Sequence, residues 1–230
     1  MTLPLAVRDL SVRTGRGRVL LDLPKLDVDP GTRLGVRGSS GAGKSTLLFA
    51  LAGLLDTAQG QVTWGDTQIL GLGTSARAAF RARCVGLIFQ DFLLFDELSP
   101  AANAQLAAAF APRAERPGIA ARAKAQLAAL GVPGDVRTTA SFSGGERQRV
   151  AVSRALATDP AVLLADEPTG NLDEANGAAV MDLLFGLRDR TGATLIMVTH
   201  APELAARCDR VVRLRDGQLA APQQATEAAE

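Results

Sequence analysis

The sequence predicts an α/β fold: a parallel sheet sandwiched by helices, with an N-terminal antiparallel β subdomain and an inserted helical subdomain. Three observations carry that expectation. From residue 143 onward, short apolar strands alternate with helical stretches, the pattern that builds a parallel sheet with both faces covered. Residues 3–37 instead hold short alternating segments punctuated by turn residues, as antiparallel strands do. Residues 99–131 change character and become alanine-rich and helical. At 230 residues the chain suits one substantial domain with a small second lobe, and its 47% apolar content is ample for a core.

Each element has a local cause. "LPLAVRDLSV" and "RVLLDLPKLDV" alternate as strands, "DPG" (29–31) turns, and "TRLGVRG" resumes the strand pattern. Residues 44–55 set Leu47, Leu48, Leu51, Leu54 and Leu55 at helical spacing. "GQVTWGDTQIL" (60–70) predicts a hairpin turning near Gly65-Asp66, with Trp64 as packing, and "CVGLIF" (84–89) a short buried strand. In the insert, Ile119, Ala123, Leu127 and Leu130 share one helical face, Gly131 stops the helix, and Pro112 and Pro117 punctuate. Then follow a helix from 143, a strand at 161–166, and a helix at 173–190 striped by Val180, Leu183, Leu184 and Leu187, with Gly192 as its stop. A strand at 193–200, a short helix and a strand at 210–214 complete the order, and residues 221–230 read as a polar tail. The expected organisation is a single domain over 1–220, with 1–90 and 142–220 forming the core and β subdomain and 91–141 the helical subdomain.

Composition narrows the function. A net charge of +1 argues against non-specific nucleic-acid binding, and Arg113, Arg116, Arg122 and Lys124 have no interleaved aromatic, as a solvated helix face would. Cys84 and Cys208 stand far apart and read as free thiols of a reducing compartment. The longest aliphatic run, "LLFALAGLL", is far short of the roughly 18–20 residues of a membrane span. The start "MTLPLAVRDL" lacks the basic and apolar regions of a signal peptide. These features predict a cytoplasmic protein that reaches a membrane only through partners.

Three stretches and two single residues carry chemistry. "GSSGAGKST" (38–46) fits G-x-x-x-x-G-K-[ST] between a strand and a helix: Gly38, Gly41 and Gly43 let backbone amides wrap a polyphosphate, Lys44 reaches the β/γ-phosphates, and the Ser45 hydroxyl can bind Mg²⁺. "VLLADEPTGNLD" (162–173) ends a strand in two carboxylates. Successive strand residues point to opposite faces, so Asp166 and Glu167 need not share one role: the first can hold the Mg²⁺ shell through water and the second face the attacking water as general base, the alternative being two solvated acids at a strand end. In "FSGGE" (142–146), Ser143 and Glu146 have capping-box spacing, while Gly144 and Gly145 bare amides at the positive end of a helix, where an anion would bind. His200, the only histidine, follows an apolar strand, where open α/β sheets bind ligands; the alternatives are a helix cap or a structural histidine. Gln90, at the end of "GLIFQ", could touch the metal or the water, although a glutamine there is as readily structural. Asp173 reads as a helix cap, with "TGN" before it able to line a chain–chain contact.

In this order, "GSSGAGKST", Gln90, "FSGGE", "LLADE", "GNLD" and His200 resemble the nucleotide-binding subunit of ATP-binding cassette (ABC) transporters, over roughly residues 3–217. "EPTGNLD" and "VGLIFQDFLLFDELSPAAN" look most like the group serving lipoprotein release, macrolide-type efflux and cell division. The resemblance implies a P-loop NTPase (RecA-like) core and an ATPase using ATP and Mg²⁺. It implies nucleotide binding by Gly38, Ser39, Ser40, Gly41, Ala42, Gly43, Lys44, Ser45, Thr46 and Gln90, with Ser45, Gln90 and Asp166 at the metal and Lys44, Glu167 and His200 as catalytic residues. It further implies a head-to-tail homodimer in which Ser143, Gly144, Gly145 and Glu146 meet ATP on the partner's loop and Asn171 and Asp173 line the contact. A separate membrane permease would dock on the lobe at 91–141, with Phe92, Leu93, Leu94 and Phe95 as contact candidates, placing the subunit at the inner face of the membrane.

The sequence departs from the family in places. The family's adenine-stacking aromatic is missing: there is no tyrosine, and no aromatic precedes Phe49. Thr14 stands near that position, with Arg13, Arg16 and Arg18 around it, and an arginine could stack instead. Phe142 and Glu146 replace the usual leucine and glutamine of the signature, and Ala102, beside Asn103, the glutamate common in the subgroup. The alternative function is a soluble translation- or DNA-associated ATPase with the same head. DNA-associated members insert a long coiled coil between loop and signature, whereas this gap of about 100 residues has no sustained heptads. Translation factors carry two units in tandem, and this chain has one.

Overall fold

A computed structural model describes residues 2–133 and 138–220. The expected polar tail lies outside the described residues, as does the side chain of Leu187. In chain order the elements are β1 (Leu5–Arg13), β2 (Val19–Val28), β3 (Arg33–Arg37), α1 (Lys44–Leu51), β4 (Ala58–Trp64), β5 (Thr67–Gln68), α2 (Thr74–Cys84) and β6 (Val85–Ile88). There follow α3 (Pro100–Ala104), α4 (Arg116–Ala129), α5 (Gly144–Leu156), β7 (Val162–Asp166), α6 (Glu174–Thr191), β8 (Thr194–Val198), α7 (Pro202–Ala206), β9 (Arg210–Arg215) and β10 (Gln218–Leu219).

Two sheets form, as the patterns require. The first, in the order β2-β1-β4-β5, is wholly antiparallel. The second runs β10-β9-β3-β8-β7-β6 and is parallel except for β10. Every residue of β7 and β8 is buried, as central parallel strands covered on both faces should be. Their alternation divides the core in two. Val162, Leu164, Ile196 and Val198 pack with α1 and the antiparallel sheet, while Leu163, Ala165, Leu195 and Met197 pack with α4, α5 and α6. The helical lobe therefore shares a continuous apolar core with one face of the parallel sheet.

Several expectations are realised side by side with shifts. Ile119, Ala123, Leu127 and Leu130 are buried, and Gly131, at φ 63°, ends α4. Val180 and Leu184 of the α6 stripe are fully buried. Trp64 is completely buried and its Nε1–H donates to the carbonyl of Leu51 at 2.9 Å, fastening β4 to the end of α1. The expected helix over 44–55 stops at Leu51. Gly53 turns left-handed (φ 64°), and the N–H groups of Gly53 and Leu54 bond back to the carbonyls of Ala50 and Phe49, a Schellman stop that leaves Leu54 exposed. The strand expected through Gln90 ends at Ile88. Helix α2 escaped prediction because Phe80 and Cys84 are its only buried residues among about three arginine- and alanine-rich turns of mixed polarity.

Both cysteines are free, and burial pushes the Cys208 thiol up to about 11. Among the described residues no helix is long and apolar enough to cross a membrane. At the carboxyl ends of β3, β6, β7 and β8 the chain releases the phosphate loop, Gln90, Glu167 and His200 toward one edge of the sheet.

Candidate active site

Those segments enclose a cleft of about 600 Å³, lined by Ser40, Gly41, Gly43, Lys44, Ser45, Thr46, Gln90, Asp166, Glu167, Asn171 and His200. Ten of the expected positions thus meet with Asn171 on one surface. Gly38, Ser39 and Ala42, also expected to bind nucleotide, do not line this cleft. Ala42 is buried, and Gly38 and Ser39 line an adjoining recess with His200.

The three loop glycines serve different ends. A Cβ on Gly38 would collide with the carbonyl of Leu214, and one on Gly43 would sit 2.7 Å from the carbonyl of Leu20. A Cβ on Gly41 would meet nothing within 4 Å, so that glycine answers to its left-handed backbone (φ 76°) and the open cleft. Lys44 spans the loop mouth, its Nζ donating to the carbonyls of Gly38 (2.9 Å) and Ser39 (2.8 Å). No side chain caps α1, which leaves the positive helix end to a ligand.

Asp166, the last residue of β7, is 4% exposed. Simple alternation would send Glu167 to the opposite face. Instead Glu167 adopts φ 48°, which breaks the strand and brings both carboxylates to the same cleft. Its N–H still donates to Val198 at 3.1 Å, and its Oε1 is buried without a hydrogen bond. His200 Nε2 lies 3.2 Å from that oxygen, close but off the line of a hydrogen bond. His200 caps nothing, since the N-cap of α7 is Ala201.

The signature stretch lies elsewhere. Ser143 and Glu146 form the capping box, with Ser143 N–H donating to Glu146 Oε2 (2.9 Å) and Glu146 N–H to Ser143 Oγ (3.3 Å). Ser143 and Gly144 are exposed and none of residues 143–146 lines the cleft. Gly145 has a packing reason that sequence reading missed: a Cβ there would sit 3.2 Å from Leu172 Cδ2. Asp173 caps α6, accepting from the N–H of Asn176 at 2.9 Å, which holds its carboxyl below the usual carboxylate range.

Arg18, one of the arginines expected near adenine, is joined by three residues that sequence reading missed: Leu20, Asn103 and Arg154. Arg18 and Leu20 line the cleft, whereas Thr14 closes the preceding turn by accepting from Arg18 N–H at 3.2 Å. Asn103, fully buried, bonds the backbone at Phe95, Leu98 and Ser99 and so shapes the segment after Gln90. Arg154 donates to the carbonyls of Phe92 and Leu93, both at positive φ. None of these has a local motif, and Arg154 acts across some sixty residues, as Asn103 also reaches Thr139.

The family model for ABC transporters matches residues 21–170. Among curated relatives, the uncharacterized ABC transporter ATP-binding protein YbbA of Escherichia coli (strain K12) is 45% identical over 213 residues, 92% of this chain and 89% of that one. The chain belongs to the ABC transporter ATP-binding family. The lipoprotein-releasing system ATP-binding protein LolD of Cereibacter sphaeroides is 46% identical over 196 residues, 84% of this chain and 87% of its own. In fold, the subunit is similar to the ATP-binding cassette MJ0796, solved as a dimer in a post-hydrolysis state with ADP and Pi. The TM-score is 0.85 at 28% identity, covering 94% of this chain and 97% of that one. The ABC subunit described here is therefore an ATP-binding ATPase with a P-loop NTPase fold, as its motifs led one to expect.

Proposed function

We propose that this subunit works as a head-to-tail pair that closes on two ATP molecules and drives a separate membrane permease from the cytoplasmic face. One observation carries the reading. Lys44, Ser45, Gln90, Asp166, Glu167 and His200 share a cleft, while the exposed helix start at Ser143–Glu146 lies outside it. A helix end suited to phosphate, with no phosphate loop of its own chain before it, is completed by a second copy. The dimeric state of the MJ0796 cassette supports the same arrangement here.

In this reading Lys44 trades its two carbonyl partners for β- and γ-phosphate oxygens, and the amides of the loop and the first turn of α1 surround the phosphates. Glu167 accepts the proton of the attacking water, and its buried Oε1, without a hydrogen bond, is the acceptor that role needs. His200 contacts the γ-phosphate from beside Glu167, and Arg18 and Leu20 flank adenine in place of the missing aromatic. Gly144 and Gly145 present amides to the γ-phosphate on the partner's loop, with Asn171 and Asp173 along the contact. Loss of the γ-phosphate removes the ligand that bridges the two copies.

Ser45, Gln90 and Asp166 offer a hydroxyl, an amide oxygen and a carboxylate, the hard oxygen donors that suit Mg²⁺ when phosphates complete the shell. When bound, Mg²⁺ would neutralise charge on the β- and γ-oxygens.

For the permease, an apolar groove of about 490 Å³ lies between α2, β6, the turn at Leu106–Ala109 and α5, with Phe110 at its edge 79% exposed. Of the four candidates expected from sequence, Leu93 and Phe95 are exposed and Leu94 packs on the second core. Glu167→Gln tests the closure: with ATP, the variant should elute as a stable dimer on a sizing column, and elution as monomer only would refute it.

A further inference from the structure

Glu167 sits where an L residue is reluctant to sit. Its left-handed backbone (φ 48°) costs energy in any non-glycine residue and persists only where the surroundings impose it. Val198 holds its N–H from β8 and Gly170 N–H bonds its carbonyl at 3.1 Å, but both bonds are ordinary parts of the strand and turn. The remaining hold comes from a different element.

Gln148, in the second turn of α5 and 2% exposed, uses both ends of its amide. Its Nε2 donates to the carbonyl of Glu167 at 2.9 Å, and its Oε1 accepts from the N–H of Asn171 at 3.2 Å. One side chain thus closes the turn 167–171 from outside, across the base of the cleft. Gly145, one turn earlier on α5, supplies the close approach by leaving room for Leu172 and the carbonyl of Asn171. A neutral amide is the one side-chain group of this length that both donates and accepts there without bringing in a charge.

We propose that Gln148 is a positioning residue for hydrolysis: its amide clamps the left-handed Glu167 turn to α5, so the helix that begins at Ser143 sets where the Glu167 carboxylate stands. The inference rests on the reading of Glu167 as the general base. It adds that each chain's own signature helix, whose first turn faces the partner's nucleotide, carries the clamp on its own base. Closure at one site then bears on the geometry of the other.

Gln148→Met keeps the length and removes both hydrogen bonds. Its kcat should fall about 10²-fold, the scale of a misplacement near 1 Å, with KM for ATP unchanged. In a Glu167→Gln background the same change should cost nothing further, because Gln148 acts through that carboxylate. Gln148→Glu, which covers the case that the methionine variant does not fold, keeps the acceptor and loses the donor. Protonation restores the donor, so its turnover relative to wild type should rise as pH falls. Wild-type kcat in Gln148→Met, a loss seen in KM instead, an equal further loss in the Glu167→Gln background, or a flat pH ratio for Gln148→Glu would each overturn the proposal. If Glu167→Gln itself turns over at the wild-type rate, the reading of the base falls and the clamp with it; if only Gln148→Met does, the clamp falls alone.

Discussion

The phosphate loop and the Glu167 turn, facing each other across one cleft, are held in place by different means. The loop at 38–46 is held by hydrogen bonds within itself and by close backbone packing against β2 and β9. Lys44 bonds two carbonyls of its own loop, two glycines press against neighbouring backbone, and a helix starts at once behind it. The turn at 167–171 depends on another helix. Its strained first residue and its fourth amide are tied to Gln148, about twenty residues earlier, and its far end is capped onto α6 by Asp173. On the proposed function, a loop that receives the same phosphates every cycle gains from rigidity. On the same proposal, a turn that carries the base and faces a second subunit gains from being wired to the helix that meets that subunit's nucleotide.

The largest effect that sharpens this contrast is at Lys44. Lys44→Ala removes the charge-assisted bonds to phosphate without touching the Glu167 turn, and ATP affinity should fall at least about 10²-fold in a binding assay. Unchanged affinity would mean that the loop is not the phosphate cradle.

A smaller, graded effect separates the loop's glycines. Gly43→Ala meets both a left-handed backbone and the carbonyl of Leu20 at 2.7 Å, and should cost roughly 2–5 kcal/mol in denaturant unfolding. Gly41→Ala meets only the backbone penalty, about 1–2 kcal/mol. Equal costs would show that packing against β2 is not what fixes Gly43.

The smallest effect belongs to the far end of the turn. The carboxyl of Asp173 is depressed by the N–H of Asn176, so its capping contribution is present above the ordinary carboxylate pKa and is lost as pH falls through the lower folded value. Wild type should lose slightly more stability than Asp173→Asn between pH 5 and 3, or about that window. Parallel stability profiles would show that the cap is idle.

The same contrast explains how much could be read in advance. The two sheets, the helical lobe and the motif residues of the cleft were legible because each is encoded locally, by alternation, by helical spacing or by a glycine-lysine-serine run. The clamp by Gln148, the hub at Asn103 and the hold of Arg154 on Phe92 and Leu93 were not, because a hydrogen bond across tens of residues leaves no periodic trace. Thr14 aligns with the missing aromatic, and the turn it closes puts Arg18, one of the arginines expected around it, at the cleft together with Leu20, which has no sequence signal. Strand alternation also set Glu167 apart from Asp166, until its left-handed backbone overruled the pattern.

The central claim is that a complete reaction chamber needs two chains. Turnover per chain, followed by dilution alongside sedimentation, tests it most directly. It should collapse at concentrations where the protein stays monomeric with ATP present; an isolated monomer hydrolysing as fast per chain as the pair would contradict the account.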